Sequence, residues 1–214
     1  MAPELPCLMN MNTRIGVGLL TISALSTAAL LSSAPSSAQD ALTTEHAVLQ
    51  FNESVAGYVA LRTQVAASVP RLEVLPDTAR IHEQVDVLAR SIRAARSFAQ
   101  PGDLFTRDVR LVLRIDIRNA LADAHIDVTD LIEELEAVSL DSELPPVEVN
   151  GPFPWGVGAP VPPVLLDRLP ALPLEVQYRF IGRNLVLVDV DANLVLDILP
   201  DAIPRGPLRD LSSC

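Results

Sequence analysis

Residues 176–199 read VQYRFIGRNLVLVDVDANLVLDIL and hold three apolar stretches separated by two short polar turns. The first stretch, Val176–Phe180, alternates apolar and polar residues, as a strand with one buried face does. Leu185–Val188 is apolar at every position, which predicts a strand covered on both faces, and Leu194–Leu199 is the third strand. Strands joined by short turns predict a three-stranded antiparallel meander over residues 176–204.

Upstream, four stretches between residues 39 and 143 have apolar residues at helical spacing. Their expected starts are, in chain order, Thr43 or Thr44, Asp77 or Thr78, a position near Thr106, and Asp127 or Thr129. Their apolar stripes are Val48, Phe51, Val55, Tyr58 and Val65; Ile81, Val85, Leu88, Ile92 and Ala95; Val109, Leu113, Ile117 and Leu121; Leu131, Leu135 and Val138. Because three strands need a surface to pack on, the expected fold class is α+β, with the meander on a bundle of about four helices.

A proline-rich segment, residues 144–175, separates the helices from the meander. Its composition predicts an extended or irregular chain that serves either as a linker or as a strap across the bundle. Trp155 is interpreted as a packing anchor of that strap rather than as a ligand platform. Residues 205–214 are expected to form a flexible tail that ends at Cys214.

The N-terminal 38 residues have the pattern of a secretory signal peptide. Arg14 precedes an uncharged run, residues 15–31, and small residues lead to an expected cleavage after Ala38. Translation could start at Met1 or at Met11. The protein is therefore expected to be exported, to the periplasm or the medium; the alternative is an uncleaved membrane anchor, which would be the chain's one membrane contact.

Composition narrows the function classes further. The net charge is −11, and the 16 basic residues are all arginine, so binding to nucleic acid through the overall field is not expected. Of the two cysteines, Cys7 precedes the apolar run and Cys214 ends the chain, so the mature protein has no internal disulfide. Cys214 is expected to be a solvated tail residue, although a lone thiol can also pair between chains.

Arginines are concentrated between residues 80 and 118, while residues 123–148 contain nine acids and no arginine. Steps of three and four place four arginines along one face of the third helix, namely Arg107, Arg110, Arg114 and Arg118. This pattern suggests a candidate anion site at Arg93, Arg96, Asp103 and Arg107. The alternative is an ordinary solvated helix face beside an acidic neighbour.

The turn between the last two strands is the second candidate site, with Asp189, Asp191 and Asn193. It matches the first half of a calcium loop, but Leu194 and Pro200 stand where that loop needs glycine and glutamate, so a simple Asx turn is favoured. Asp197 is expected either to face solvent or to pair with an arginine across the meander, Arg179 or Arg183. The three histidines are scattered, and we predict no metal site, no cofactor and no catalytic residues.

Two stretches resemble an uncharacterised group of exported bacterial proteins in which both occur together. They are ARSFAQPGDLFT, residues 95–106, and YRFIGRNLVLVDVDANL, residues 178–194. In that group the second stretch usually follows a proline-rich approach, as it does here. The resemblance implies export and carries no assigned activity.

These observations favour a non-enzymatic exported protein that binds a partner, for example an envelope protein, or has a structural role in the envelope. A small-ligand or metal-binding accessory protein is the alternative, suggested by the histidines, the acidic segment and the aspartates of the turn. A hydrolase-type enzyme is the third hypothesis, since suitable residue types are present without a recognisable motif.

Overall fold

Helices fill the first half of the described chain. In the computed structural model, which describes residues 36–69, 78–137, 146–154 and 158–205, the helices are α1 (Ser36–Ala66), α2 (Thr78–Ala95), α3 (Arg107–Asp123) and α4 (Val128–Ala137). The predicted four-helix organisation is confirmed. Among the described residues, we find no helix with both the length and the apolar character that a bilayer crossing requires.

Helix starts agree with the predictions in three cases out of four. Thr106 is the N-terminal flanking residue of α3, and Asp127 rather than Thr129 caps α4, since its Oδ1 accepts the Thr129 N–H at 2.7 Å. The prediction for α1 was wrong, because α1 begins at Ser36 and not at Thr43 or Thr44. Residues 36–42 contain neither proline nor glycine, so the sequence has no helix breaker there. The predicted cleavage site after Ala38 lies in the first turn of α1.

The sheet has one strand more than predicted. Its order is β1 (Ala159–Pro160), β2 (Val176–Ile181), β3 (Asn184–Asp189) and β4 (Leu194–Leu199), and all neighbours are antiparallel. The meander is confirmed as β2–β4. The short strand β1 comes from the proline-rich segment and pairs with Phe180 and Arg179 of β2. Proline has no N–H to donate to the hydrogen bonds between strands. Pro160 is tolerated because β1 is an edge strand.

Most described residues of the proline-rich segment are irregular, as predicted, but the segment also contains two short regular elements that were not predicted. After β1 it forms the short helix α5 (Pro163–Leu166). Before β1, residues 150–153 run along β4, where Asn150 N–H donates to Val195 O at 2.9 Å and Phe153 N–H donates to Asn193 O at 2.8 Å. Trp155 and Val138 lie outside the described residues.

Both faces of β3 are covered, as the unbroken apolar run predicts. Leu185 and Leu187 belong to the main core between sheet and helices, whereas Val186 and Val188 pack with Phe153 of the strap. In the main core, the Phe51 ring of α1 stacks on Phe105 with a centroid distance of 5.8 Å. Burying each such side chain contributes about 1.5–3 kcal/mol to folding. The described residues all belong to one compact unit.

Candidate functional site

Asp189 is the centre of a buried polar cluster between α1 and the sheet. Its carboxylate is 0% exposed at the end of β3. Oδ2 accepts hydrogen bonds from the Tyr58 hydroxyl and from Arg62 Nε, the latter at 2.8 Å. Oδ1 accepts the main-chain N–H groups of Asp191 and Ala192, at 3.0 and 2.8 Å. The two turn amides make the expected Asx turn. The carboxylate also binds two side chains of α1, and the sequence did not indicate these contacts.

Arg62 and Tyr58 project from α1 one turn apart, so both reach the same carboxylate. Arg62 also donates to Asp191, whose side chain is about half exposed. Burial alone would lower the pKa of Arg62, but the charges and hydrogen bonds of Asp189 and Asp191 raise it above its ordinary value. Burial, reinforced by the negative charge of Asp189, raises the pKa of Tyr58 far above its ordinary value. Both groups therefore keep one protonation state, which suits a structural contact.

Arg96 joins this cluster from the end of α2. Its guanidinium lies 5.2 Å from the centroid of the Tyr58 ring, and its Nη2 donates to Leu196 O at 3.2 Å. Burial lowers the pKa of Arg96 below its ordinary value, although the nearby Tyr58, Asp103 and Asp197 oppose this effect. Its Nη1 is buried and has no hydrogen-bond partner within the described ranges. Arg96 is thus an inward-facing cation that holds α2 against β4.

Asp197 is a second buried carboxylate, and both predictions for it were wrong. It is 0% exposed and contacts neither Arg179 nor Arg183; instead it binds main-chain N–H groups of the loop between α2 and α3. The donors are Gly102 at 3.0 Å, Leu104 at 2.9 Å, Phe105 at 2.8 Å and the adjacent Ile198 at 2.7 Å. The loop replaces the solvent that a charged residue in a strand would otherwise need.

Gly102 shows why this loop can surround a carboxylate. Its φ is +101°, a conformation that favours glycine, and an added Cβ would lie 2.8 Å from Arg110 Nη2. Arg110 in turn donates from Nε to Phe105 O at 2.6 Å. The loop is therefore held from both sides, by Asp197 and by Arg110.

Of the candidate anion site of Arg93, Arg96, Asp103 and Arg107, Arg96 and Asp103 lie near enough to interact, but the four residues have different partners. Arg96 faces the core, whereas Asp103 accepts the Gln100 N–H at 2.8 Å and Arg107 is exposed to solvent. Arg93 is half-buried, and its carbonyl accepts a hydrogen bond from the Asn150 side chain at 3.3 Å. The four residues serve different parts of the fold, because the α2–α3 loop turns the chain between them.

The arginines of α3 do not form one anion-binding face either. Arg110 donates to Phe105 O of the α2–α3 loop, and Arg114 Nη2 donates to Pro200 O at 2.7 Å. Arg107 and Arg118 point to solvent. Two of the four predicted members are therefore engaged by carbonyl groups of the protein itself.

The second candidate set, Asp189, Asp191 and Asn193, is brought together but acts on the protein's own chain. Asn193 has a φ of +47° and donates from its side chain to Phe153 O, which fixes the strap beside the turn. Within the described ranges, no three His, Cys, Asp or Glu side chains are arranged to hold a metal ion. His46 lies on α1, His82 on α2, and His125 in the turn after α3.

An open groove lies at the edge of the sheet, where β2 extends beyond its short partner β1, and we call it the edge groove. Its volume is about 610 Å³, within the range of ligand pockets. Its walls are β2 residues Val176–Arg179 on one side and parts of the strap segment 166–174 on the other. Two leucines at this groove are exposed, Leu166 at 50% and Leu174 at 92%. Sequence reasoning missed this groove, because only the path of the strap creates it.

A second groove, of about 480 Å³, is more polar. Three of the four charged residues in its described lining are engaged within the protein, since Arg183 donates to Pro204 O at 2.6 Å and Arg205 pairs with Asp201 at 2.8 Å. The edge groove is therefore the better candidate for binding.

Comparison of the chain with protein-family models, with curated proteins and with solved structures finds no match. The structure nevertheless connects the two stretches on which the family resemblance rests. Arg96, Gly102, Leu104 and Phe105 of the first stretch contact Leu196 and Asp197 of β4, the strand into which the second stretch continues. The pairing of the two stretches therefore has a physical basis in this fold.

Proposed function

We propose that this is a non-enzymatic exported protein that binds an apolar segment of a protein partner in the edge groove. The observation that carries the proposal is the groove itself, with leucine, valine and proline walls and exposed leucines at its rim. Exposed aliphatic side chains that border a concave apolar surface are typical of binding sites. The protein's fully buried carboxylates, in contrast, are bonded to its own amides and side chains.

Peptide selection tests the proposal directly. Peptides from a displayed random library are selected on the purified protein, and their affinities are measured by fluorescence anisotropy. We expect apolar peptides that bind Leu174→Asp at least about tenfold more weakly than the wild type. Leu111→Asp is the matched control, because Leu111 is 59% exposed on α3, outside the edge groove, and should leave binding unchanged. Peptides that bind the wild type, Leu174→Asp and Leu111→Asp with equal affinity would show that the edge groove is not the binding site.

A small apolar molecule is the second candidate ligand, favoured by a groove volume that suits such a ligand. Thermal shift measurements with a panel of apolar compounds separate the two candidates, because a ligand that binds the native state raises the melting temperature. Stabilisation by compounds, together with failure to select peptides, would favour the small ligand.

The proposed export is supported by the signal-peptide pattern and has its own test. Mass spectrometry of protein isolated from the native cells should give an N-terminus at Gln39, from which most of α1 still follows. An intact N-terminus on cytosolic protein would contradict export.

A further inference from the structure

The edge groove has an exposed apolar side chain at its own rim. Leu174 follows Pro173, whose ring restricts the backbone, and Pro173 O accepts the Val176 N–H at 3.0 Å. The chain therefore presents Leu174 from a constrained turn, with 92% of the residue exposed. A side chain held in this way loses little conformational entropy when it is buried by a partner.

The same groove carries one acid and one base. Asp167 and Arg179 are its charged residues among the described lining, and Arg179 bonds Gln177 at 2.8 Å while its charge stays at the surface. A two-fold axis through the groove brings the same surface patch of two copies face to face. Each contact between two different residues therefore occurs twice, once in each direction. An axis that crosses the line from Asp167 to Arg179 places Asp167 of each copy towards Arg179 of the other. The groove is therefore complementary to itself in charge as well as in apolar character.

We propose that the segment bound in the edge groove is the Leu174 turn of a second copy of this chain, so that the protein forms a two-fold symmetric dimer. The inference rests on the proposed function, that the groove binds an apolar segment, and names the occupant. Each copy supplies one leucine to the other's groove, and the Asp167–Arg179 pairs set the orientation. The net charge of −11 on each copy opposes association, so local attraction at the groove must overcome a general repulsion.

Sedimentation equilibrium of the purified protein tests the inference. The experiment is done with a thiol reductant present, so that Cys214 cannot link two copies covalently. We expect a reversible dimer for the wild type and for Leu111→Asp, and a monomer for Leu174→Asp. Because Leu174 is 92% exposed, its substitution should leave the circular dichroism spectrum of the protein unchanged.

Charge reversal tests the orientation of the two copies. Asp167→Arg and Arg179→Asp should each weaken the dimer at least about tenfold, and the double variant should recover most of the loss. Recovery in the double variant depends on the two residues meeting each other, which a general effect of charge would not reproduce.

Several results would overturn the inference. A wild type that stays monomeric at concentrations up to about 1 mM, a dimer that survives Leu174→Asp, or charge reversals that do not recover together would each do so. A monomer whose groove still binds selected apolar peptides would overturn the dimer and leave the proposed function standing. A monomer that also binds no such peptide would overturn both.

Discussion

The polar contacts beneath the sheet and the groove at its edge use opposite kinds of side chain. Asp189 and Asp197 are buried where helices meet the β3–β4 hairpin, and the protein's own donors surround both carboxylates. The edge groove is lined mainly by apolar residues and keeps Leu174 exposed. Buried charge therefore serves the fold, whereas the exposed apolar surface is the one that we propose for binding. Mutations in the two regions should accordingly change different properties.

The two aspartates also differ from each other. Asp197 is held by main-chain amides, which cannot rotate, and a carboxylate is an acceptor only. Asp189 is held partly by the Tyr58 hydroxyl, which can turn to become an acceptor, and by Arg62, which keeps Asp191 as a second partner. A carboxylate with main-chain donors on both oxygens is thus harder to replace than Asp189, which has main-chain donors on Oδ1 and side-chain donors on Oδ2.

Asp197→Asn should have the largest effect on stability. In place of Oδ2, the new NH₂ group faces the main-chain N–H groups of Leu104 and Phe105, and in place of Oδ1 it faces those of Gly102 and Ile198. We expect the free energy of unfolding to fall by about 4 kcal/mol, since charge-assisted bonds are lost and a buried donor is left unpaired. Urea denaturation measures the loss. A change within experimental error would mean that the loop does not depend on this carboxylate.

Asp189→Asn, the same substitution at an equally buried site, should cost about half as much, about 2 kcal/mol. Tyr58 can reverse its hydroxyl towards the new amide, and Arg62 retains its ion pair with Asp191. Denaturation under the conditions used for Asp197→Asn gives a direct comparison. If Asp189→Asn were the more damaging variant, the distinction between side-chain and main-chain donors would be wrong.

Tyr58→Phe should have a smaller effect, about 1.5 kcal/mol, because it removes one hydrogen bond to a charged acceptor and keeps the ring. The ring remains in place beneath Arg96. Tyr178→Phe is the matched control, since its hydroxyl donates only to the neutral carbonyl of Pro170, at 3.2 Å. The control should cost less than Tyr58→Phe in the same denaturation experiment.

Alkaline pH should destabilise the protein through its two tyrosines. Burial raises the pKa of Tyr58 and of Tyr178 above the ordinary value of 10.0, so in the folded state both stay neutral where the unfolded chain ionises. This contribution to stability is fully present below pH 10 and is lost as pH rises, by about 1.4 kcal/mol per pH unit for each tyrosine. Near-ultraviolet absorbance should show phenolate forming only as the protein unfolds. Titration of either tyrosine in the folded protein would contradict its burial.

Periodicity predicted most of the fold correctly. Burial imposes local patterns on a sequence. Such patterns are the steps of three and four in α2 and α3, which have one buried face, and the apolar run Leu185–Val188, which has two. The start of α1 was wrong, because Thr43 and Thr44 look like caps although no breaker precedes them. The strand β1 was missed, because prolines argue against strands except at an edge, and the sequence does not show which strand is the edge.

The polar contacts could be predicted only in part. The turn at Asp189 was predicted, since it involves neighbours along the chain, but its binding to Arg62 spans 127 residues. Asp197 was misassigned, because cross-strand pairing suggests arginine partners, whereas main-chain donors leave no mark on the sequence. The positive φ of Gly102, which lets the α2–α3 loop enclose Asp197, likewise could not be read from the sequence.

The most direct test of the proposed separation between folding contacts and binding surface measures two quantities in two variants. For Tyr58→Phe and Leu174→Asp, both the free energy of unfolding of the monomer and the dissociation constant of the dimer are determined. We expect Tyr58→Phe to lower the free energy of unfolding by about 1.5 kcal/mol and to leave the dissociation constant of the dimer unchanged. We expect Leu174→Asp to abolish the dimer and to leave the free energy of unfolding of the monomer unchanged. Variants in which both quantities change together would contradict the account.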